Sequence, residues 1–168
     1  VGLKPTYGRI SRHGLVALAS SLDHVGIIAQ TAKDVAMVLE TVSGKDERDA
    51  TSVESVVPAY TSLLDRSLSK LKIGIPYDWF TGKVNPHVES MFNAAVKVFL
   101  DRGVSVERME LPYGDRVVQA YQAICTVEAS SNMARYDGLR FGYHTQGAKN
   151  YVDHLTRSRT EGFGAEVQ

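Results

Sequence analysis

The sequence predicts an α/β fold, and three neighbouring segments carry that prediction. Residues 71–75 alternate apolar with small or polar side chains and are followed by a proline, as expected of a strand. Asn85 can cap a helix that has Pro86 at its first position and ends at Gly103. Residues 104–106 form a second strand. A strand, a helix and a strand in this order are typical of a β-α-β unit.

The first thirty residues favour tight loops and a short strand over a helix. Short apolar pieces such as residues 15–18 alternate there with glycines. These glycines are Gly2, Gly8, Gly14 and Gly26. We expect the backbone of this region to approach another group closely.

A first helix is predicted from Ala32 to about Val42. Thr31 and Asp34 form a capping box, in which the hydroxyl accepts from the third helical amide and the carboxylate reaches back. Gly44 should end this helix. The face predicted to be buried consists of Val35, Val38, Leu39 and Val42.

Three further helices follow a polar loop at residues 44–58. The helix that begins at Pro86 places four apolar side chains on one face. These are Val88, Phe92, Ala95 and Phe99. The next helix, over about residues 115–136, is the longest and ends near Gly138, and the last covers about residues 151–159.

Composition limits the function without naming one. The chain has 168 residues, of which 43% are hydrophobic and 23% charged, and this excludes a disordered protein. Its 19 basic and 19 acidic residues cancel, so the basic surface of a stand-alone nucleic-acid binder is missing. No apolar run reaches the ~18 residues that span a bilayer, and the start lacks a signal-peptide pattern. We expect a soluble chain.

Cysteine and histidine usage gives no metal pattern. Cys125 is the single cysteine, so no intramolecular disulfide forms, and a small buried side chain is a better interpretation than a reactive thiol. The histidines are scattered without ligand spacing, and no metal site is predicted. They are His13, His24, His87, His144 and His154.

Four stretches of this sequence resemble the amidase signature family. Residues 1–15 (VGLKPTYGRISRHGL) are similar to the segment that follows the family's nucleophile. Residues 20–26 (SSLDHVG) resemble its Ser-Ser-Leu-Asp turn, and residues 44–52 (GKDERDATS) resemble the loop after it. Residues 128–138 (EASSNMARYDG) are similar to tRNA-dependent amidotransferase subunits rather than to fatty-amide or aryl-amide hydrolases.

The resemblance implies an α/β/α layered fold around a mixed β-sheet, with residues 1–168 as the central fragment of a single amidase-signature domain, truncated at both ends. It also implies a subunit that hydrolyses glutamine and passes ammonia to B and C subunits. Those partners would use ATP and Mg²⁺ to amidate a glutamyl-tRNA, which they would also mainly contact. No cofactor is expected in this chain, and its compartment would be the cytoplasm, or the mitochondrial or plastid matrix.

The family's reacting groups are a serine nucleophile, a second serine and a lysine base, and all three precede the segment that residues 1–15 resemble. We therefore predict no catalytic residue here and no activity for residues 1–168 alone. Lys4 with the serine pair at 20–21 does not rebuild them, because a following proline makes Lys4 extended. The serine pair at 130–131 has no lysine one helical turn away.

Tyr121 is the one site residue that the resemblance assigns, because its spacing from residues 128–132 matches a family tyrosine that contacts glutamine. A phenol offers one donor and one acceptor to a polar substrate. The alternative is a core tyrosine with a backbone partner.

Two polar groupings stay open to more than one interpretation. A stripe on the longest helix would line a pocket or an interface with a partner, or else face solvent. It consists of Tyr121, Cys125, Glu128, Asn132 and Arg135. A basic cluster of Arg9, Arg12 and His13 would meet an anionic partner, or else be plainly exposed, which is the better interpretation.

Two alternatives to glutamine hydrolysis remain. The first is a general amidase, which would lack a pocket for the α-amino and α-carboxylate groups of glutamine. The second is a non-catalytic module that only binds partner subunits. The run at residues 128–138 favours the glutamine-hydrolysing protein.

Overall fold

The computed structural model of the chain describes residues 1–79 and 82–168, which fall into two compact units. Unit 1 consists of Val1–Gly2, Ile27–Val42 and Val56–Gln119. Unit 2 consists of Leu3–Gly26, Ser43–Ser55 and Ala120–Gln168. The prediction of a single truncated domain stays a prediction.

Four helices and four strands make up the regular structure of the described residues. The helices are α1 (Ala32–Val42), α2 (Pro86–Asp101), α3 (Val117–Met133) and α4 (Tyr151–Gly162). The strands are β1 (Gly2–Leu3), β2 (Ile27–Ile28), β3 (Lys72–Ile75) and β4 (Ser105–Arg108). Short 3₁₀ turns lie at Tyr60–Leu63, Tyr77–Trp79 and Gly114–Arg116. None of these helices is both long and apolar enough to cross a membrane.

The predicted β-α-β unit is confirmed within unit 1. Strands β3 and β4 pair in parallel, with Lys72 opposite Ser105 and Ile75 opposite Arg108, and α2 connects them. Asn85 caps α2 by accepting from the His87 amide at 2.9 Å. All 16 residues of α2 are described and none is buried: on the predicted apolar face, Val88, Ala95 and Phe99 are exposed and Phe92 is half-buried.

Helix α1 has the predicted bounds and cap. The Asp34 amide donates to Thr31 Oγ1 at 3.1 Å, and the Thr31 amide donates back to Asp34 Oδ2 at 3.1 Å. Val35 and Leu39 are buried as predicted. Val38 and Val42 are 42% and 41% exposed, so their predicted burial is wrong. The buried stripe runs instead through Val35, Ala36 and Leu39, which leaves Val38 on its flank and Val42 in the last turn.

The longest helix is shorter than predicted. Helix α3 starts at Val117, after a 3₁₀ turn, and ends at Met133 rather than Tyr136. Beyond Met133 the backbone tightens, because the Tyr136 amide donates to the Met133 carbonyl at 3.2 Å. Helix α4 begins at the predicted residue, where Asn150 accepts from the Asp153 amide at 3.0 Å, and continues to Gly162.

The sheet structure agrees with an α/β protein. The described residues hold a two-stranded sheet of β1 and β2 and the parallel pair of β3 and β4. An antiparallel bridge joins Ile10 to Ser43 in unit 2. The predicted α/β class is confirmed.

Candidate functional site

The loop at residues 44–52, which resembles a family motif, is folded by its own polar side chains. Asp46 accepts from the Arg48 amide at 3.0 Å, and Asp49 accepts from the Thr51 amide at 2.9 Å. The Ser52 hydroxyl donates to the Gly44 carbonyl at 3.0 Å and accepts from the Asp46 amide at 2.9 Å. Such local side-chain bonds are what Asp, Ser and Thr supply to turns.

Two of the three carboxylates of this loop, those of Asp46 and Asp49, also hold residues 8–12. The Ser11 hydroxyl donates to Asp46 Oδ2 at 2.7 Å, and the Arg12 amide donates to Asp49 Oδ2 at 2.8 Å. A backbone hydrogen bond adds to these contacts: the Gly44 amide donates to the Arg9 carbonyl at 3.2 Å. The loop and the N-terminal segment therefore form one polar network, which we call the loop network (residues 8–12 and 44–52).

Gly8 shows the close approach that the glycine pattern predicts. Its φ is +77°, and a Cβ atom there would lie 2.5 Å from the Thr51 carbonyl oxygen. The Val53 amide donates to the Gly8 carbonyl at 2.9 Å, which holds the two backbones together. Gly14 also has a positive φ, of +88°, yet nothing lies within 4 Å of its missing Cβ.

Arg12 is largely buried and forms part of the loop network. Its side chain is 16% exposed, and the guanidinium lies 4.8 Å from the centre of the Tyr7 ring. It donates to Thr51 Oγ1 at 2.8 Å and to the Ser20 carbonyl. The interpretation of a plainly exposed basic cluster is wrong for Arg12, although His13 is exposed. The partners of Arg12 in the loop lie 37 to 39 residues away, and nothing local predicts them.

The pKa values of two carboxyl groups of the loop network, Asp46 and Asp49, are lowered. The Arg48 side chain and the Ser11 hydroxyl hold the pKa of Asp46 well below its usual range. The Arg12 amide, with the Thr51 hydroxyl and amide, lowers the pKa of Asp49 from 3.8 to about 2. Hydrogen bonds to the charged form are the cause in each case. Both groups are anionic acceptors at neutral pH.

Residues 18–23 form a turn, here called the Ser-Ser turn, with Asp23 as its internal anchor. The Asp23 carboxylate accepts from the Leu18 amide at 3.0 Å and from the Ala19 amide at 3.1 Å. The Tyr7 hydroxyl donates to the Ser20 carbonyl at 2.9 Å. The Ser-Ser-Leu-Asp motif thus acts as a structural turn whose aspartate binds its own backbone.

The polar stripe on α3 contacts this turn through two of its members. Glu128 accepts from the Ser21 amide at 2.9 Å and from the Ser21 hydroxyl. Asn132, which is 8% exposed, donates to the Leu18 carbonyl at 3.0 Å and to Ser20 Oγ at 3.1 Å. At these two positions the stripe packs against protein rather than facing solvent.

Tyr121, at the other end of the stripe, is 54% exposed. Its partner is the Cys125 side chain, and that hydrogen bond raises the pKa of the Tyr121 phenol. Cys125 is half-buried, so it is less enclosed than the predicted buried thiol. The exposure of Tyr121 disagrees with a core tyrosine in this chain, and its contact with substrate stays a prediction.

Two open cavities share Arg12 and Ser20 as lining residues. The first, of about 380 Å³, has an apolar wall at residues 15–17 and a polar wall. Its polar wall consists of Arg12, His13, Asp23, His24, Arg48 and Asp49, together with Ser20. The second, of about 420 Å³, is lined by polar groups that include Glu128, Ser131 and Asn132. Neither set of lining residues includes a lysine.

Ser21 and Lys4, rejected as a nucleophile and its base, have other partners. The Ser21 hydroxyl is bonded to Glu128, and Lys4 Nζ donates to the Pro5 carbonyl at 2.9 Å. Among residues 1–79 and 82–168, no group of three His, Cys, Asp or Glu side chains could hold a metal ion. The structure does bring His144 and His154 together, with ring centres 4.6 Å apart, a contact that their spacing did not predict.

The sequence model of the Amidase family matches residues 1–168. The chain belongs to this family. Curated Amidase-family relatives include the A subunit of the glutamyl-tRNA(Gln) amidotransferase of Chromohalobacter salexigens, 49% identical over 167 residues. The same subunit of Sulfurihydrogenibium sp. is 45% identical over 168 residues. These alignments cover 99% and 100% of this chain but only 34% and 35% of the relatives.

Solved Amidase-family structures share the fold. The A subunit of the glutamyl-tRNA(Gln) amidotransferase of Thermotoga maritima aligns with a TM-score of 0.71 and 35% identity, covering 83% of this chain and 30% of that one. A bacterial aryl acylamidase aligns with a TM-score of 0.69 over 98% of this chain and 32% of its own, at 23% identity. The chain thus spans about a third of the length of the proteins it matches.

Proposed function

We propose that this chain is part of the glutamine-hydrolysing subunit of a glutamyl-tRNA(Gln) amidotransferase. One observation carries the proposal: relatives that bear the name of the A subunit of that enzyme are 43% to 49% identical over at least 99% of the chain. The motif at residues 128–138 supports the same choice over a general amidase. At 23% identity, the aryl acylamidase supports the fold alone.

The proposed reaction is hydrolysis of the side-chain amide of glutamine, in which water and glutamine give glutamate and ammonia. A serine hydroxyl attacks the amide carbon while a neutral lysine takes its proton, and the lysine then gives that proton to the departing nitrogen, which leaves as ammonia. Water next hydrolyses the acyl ester and restores the serine hydroxyl. We propose that these reacting groups lie outside residues 1–168. Isolated residues 1–168 should therefore release no ammonia.

The role we propose for residues 1–168 is to build the walls beside the reacting groups. The loop network and the Ser-Ser turn supply rigid, hydrogen-bonded backbone around the first cavity. Tyr121 would contact the bound glutamine through its phenol, and its exposure leaves the hydroxyl accessible. Positioned polar groups of this kind distinguish a polar substrate from an apolar one.

The partners we propose are the B and C subunits, which would use ATP and Mg²⁺ to convert glutamyl-tRNA(Gln) to glutaminyl-tRNA(Gln). The balanced charge of this chain supports tRNA contact mainly through those subunits. We place the complex where tRNA is aminoacylated, in the cytoplasm or in the matrix of a mitochondrion or plastid.

Ammonia release tests the proposal in the full-length protein, meaning a chain of the relatives' length that contains residues 1–168, assembled with its partner subunits. We expect ammonia from glutamine, and we expect a simple aryl amide to compete poorly for the site. Strong competition by the aryl amide would favour a general amidase. Partner binding without any ammonia release would favour a non-catalytic module.

Tyr121→Phe tests the assigned contact. Loss of the hydroxyl should raise the KM for glutamine with a smaller change in kcat, because a binding contact is lost. Tyr151→Phe is the matched control, since Tyr151 is 61% exposed on α4 and should leave KM unchanged. An equal KM in both variants would remove Tyr121 from the substrate site.

A further inference from the structure

Two side chains of α3 bind the Ser-Ser turn, one at its first residue, Leu18, and one at Ser21. Glu128 and Asn132 are one helical turn apart, so they project from the same face of a rigid element. Glu128 holds the amide and hydroxyl of Ser21, whereas Asn132 holds the carbonyl of Leu18. These contacts join residues that are 107 and 114 positions apart in the chain. Together they fix the turn relative to α3.

The Ser-Ser turn also fixes the apolar wall of the first cavity. The backbone of Leu18 is held at both polar groups, because its amide donates to Asp23 and its carbonyl accepts from Asn132. Leu15 and Val16, just before it, line the first cavity and are 55% and 72% exposed. Because both side chains are exposed, their position depends on the backbone, which is held where the Leu15 amide donates to the Arg12 carbonyl at 3.0 Å and by the hydrogen bonds of Leu18.

We propose that Glu128 and Asn132 are positioning residues of the amidase site, which act through Ser21 and Leu18 to hold residues 15–17 as the apolar wall beside the bound amide. The substrate part of this inference rests on the proposed function, whereas the anchoring of the turn does not. Neither side chain contacts the substrate itself.

The charge of Glu128 supports this role. The hydroxyl and amide of Ser21 lower the pKa of the Glu128 carboxyl, so it is an anionic acceptor at neutral pH. Hydrogen bonds to charged groups are stronger than those between neutral groups. The bond to the Ser21 amide is therefore the contact whose loss should release the turn most.

The test compares Glu128→Ala, Asn132→Ala and the conservative Glu128→Gln in the full-length protein with its partners. Ser130→Ala is the matched control, because Ser130 is exposed on the same helix. The rate of amide hydrogen exchange at residues 18–23 measures how firmly the turn is held. KM and kcat for glutamine measure whether the apolar wall is still in place beside the substrate. Glu128→Gln keeps an acceptor for the Ser21 amide and should retain part of both properties.

Glu128→Ala should speed exchange of the Ser21 amide by about 10- to 100-fold, the effect of losing a bond to a charged acceptor. KM should rise in Glu128→Ala and Asn132→Ala, and kcat should change less. Neither KM nor kcat should change in Ser130→Ala. Exchange equal to that of Ser130→Ala would overturn the anchoring. Faster exchange with unchanged KM would overturn the positioning role. If the unaltered protein releases no ammonia, the proposed function fails, and the exchange rates still decide whether α3 holds the turn.

Discussion

In the β3-α2-β4 segment of unit 1, backbone amides donate to backbone carbonyls within helices and strands. In the loop network of unit 2, backbone amides often donate to a side-chain carboxylate instead. Asp49 takes the amides of Arg12 and Thr51, and Asp46 takes the amide of Arg48. Helix α2 satisfies its own backbone but has no buried residue. The loops of unit 2 are thus fixed by polar contacts, while the helix of unit 1 presents apolar surface.

This difference identifies the loop network as the region whose irregular backbone is fixed by side-chain hydrogen bonds. An irregular backbone keeps one conformation only if each polar group has a partner. In the loop network, Asp, Ser and Thr side chains and the Arg12 guanidinium supply many of these partners. Family motifs are found at these loops, and the cavities adjoin them.

Gly8→Ala should break the loop network most strongly. A Cβ atom would meet the Thr51 carbonyl at 2.5 Å, and φ would remain at +77°. Overpacking and a left-handed backbone together should lower the free energy of unfolding by about 2–4 kcal/mol. Denaturant unfolding of the full-length protein measures the loss.

Gly14→Ala is the control for Gly8→Ala, because its φ is +88° but its surroundings are open. Only the cost of the positive φ, about 1–2 kcal/mol, should appear. Equal losses in the two variants would show that the close approach at Gly8 is unimportant.

Asp49→Asn should be the next largest change. The variant removes the charge that accepts from Arg12 and Thr51, and an amide cannot accept all three bonds with its one oxygen. The thermal midpoint should fall clearly. Asp101→Asn, which removes an exposed ion pair with Lys97 in unit 1, should change it little. A similar midpoint for both variants would contradict the contrast between the two regions.

Acid should weaken unit 2 in a defined window. The pKa of Asp49 is about 2 in the folded protein against an ordinary 3.8, and that of Asp137 is likewise about 2 because the Arg140 and Leu139 amides bind it. A lowered pKa stabilises the fold above pH 3.8, and that stability is lost as the pH falls towards 2. Unfolding midpoints between pH 5 and 2 measure the loss.

The acid-dependent loss should be shallower in Asp49→Asn, because one of the titrating groups is gone. Asp101→Asn should keep the full slope. An identical slope in Asp49→Asn and the unaltered protein would mean that Asp49 contributes nothing to the pH dependence.

The smallest effect should come from unit 1, at the cap of α1. Thr31→Ala removes the hydroxyl that accepts from the Asp34 amide and should cost about 1 kcal/mol. Thr41→Ala is the control, since the Thr41 hydroxyl bonds the Met37 carbonyl inside the same helix. If Thr41→Ala costs as much as Thr31→Ala, the loss does not come from the cap.

The same contrast explains what the sequence could predict. Thr31 and Asn85 act on residues within a few positions, so the starts of α1 and α2 and the β-α-β unit could be found from local pattern. Burial depends on what covers a surface, and for that reason the inward placement of Val38 and Val42 was wrong.

The site was harder to predict, because its contacts are distant in sequence. The partners of Glu128 and Asn132 lie more than 100 positions away, and helical spacing alone cannot tell a buried stripe from a solvated one. Sequence pattern alone also could not show whether Arg12 is exposed or bound to other parts of the chain. Resemblance to family motifs located the loops, but only their geometry gave Asp23, Asp46 and Asp49 a structural role.

The fate of the amide nitrogen tests the central claim most directly. The full-length protein, with its partner subunits, ATP, Mg²⁺ and glutamyl-tRNA(Gln), is given glutamine labelled with ¹⁵N in the side-chain amide. We predict that the label appears in the amide of tRNA-linked glutamine. Label that remains in glutamine, or that is released only as free ammonia while the tRNA-linked glutamate stays unchanged, would contradict the account.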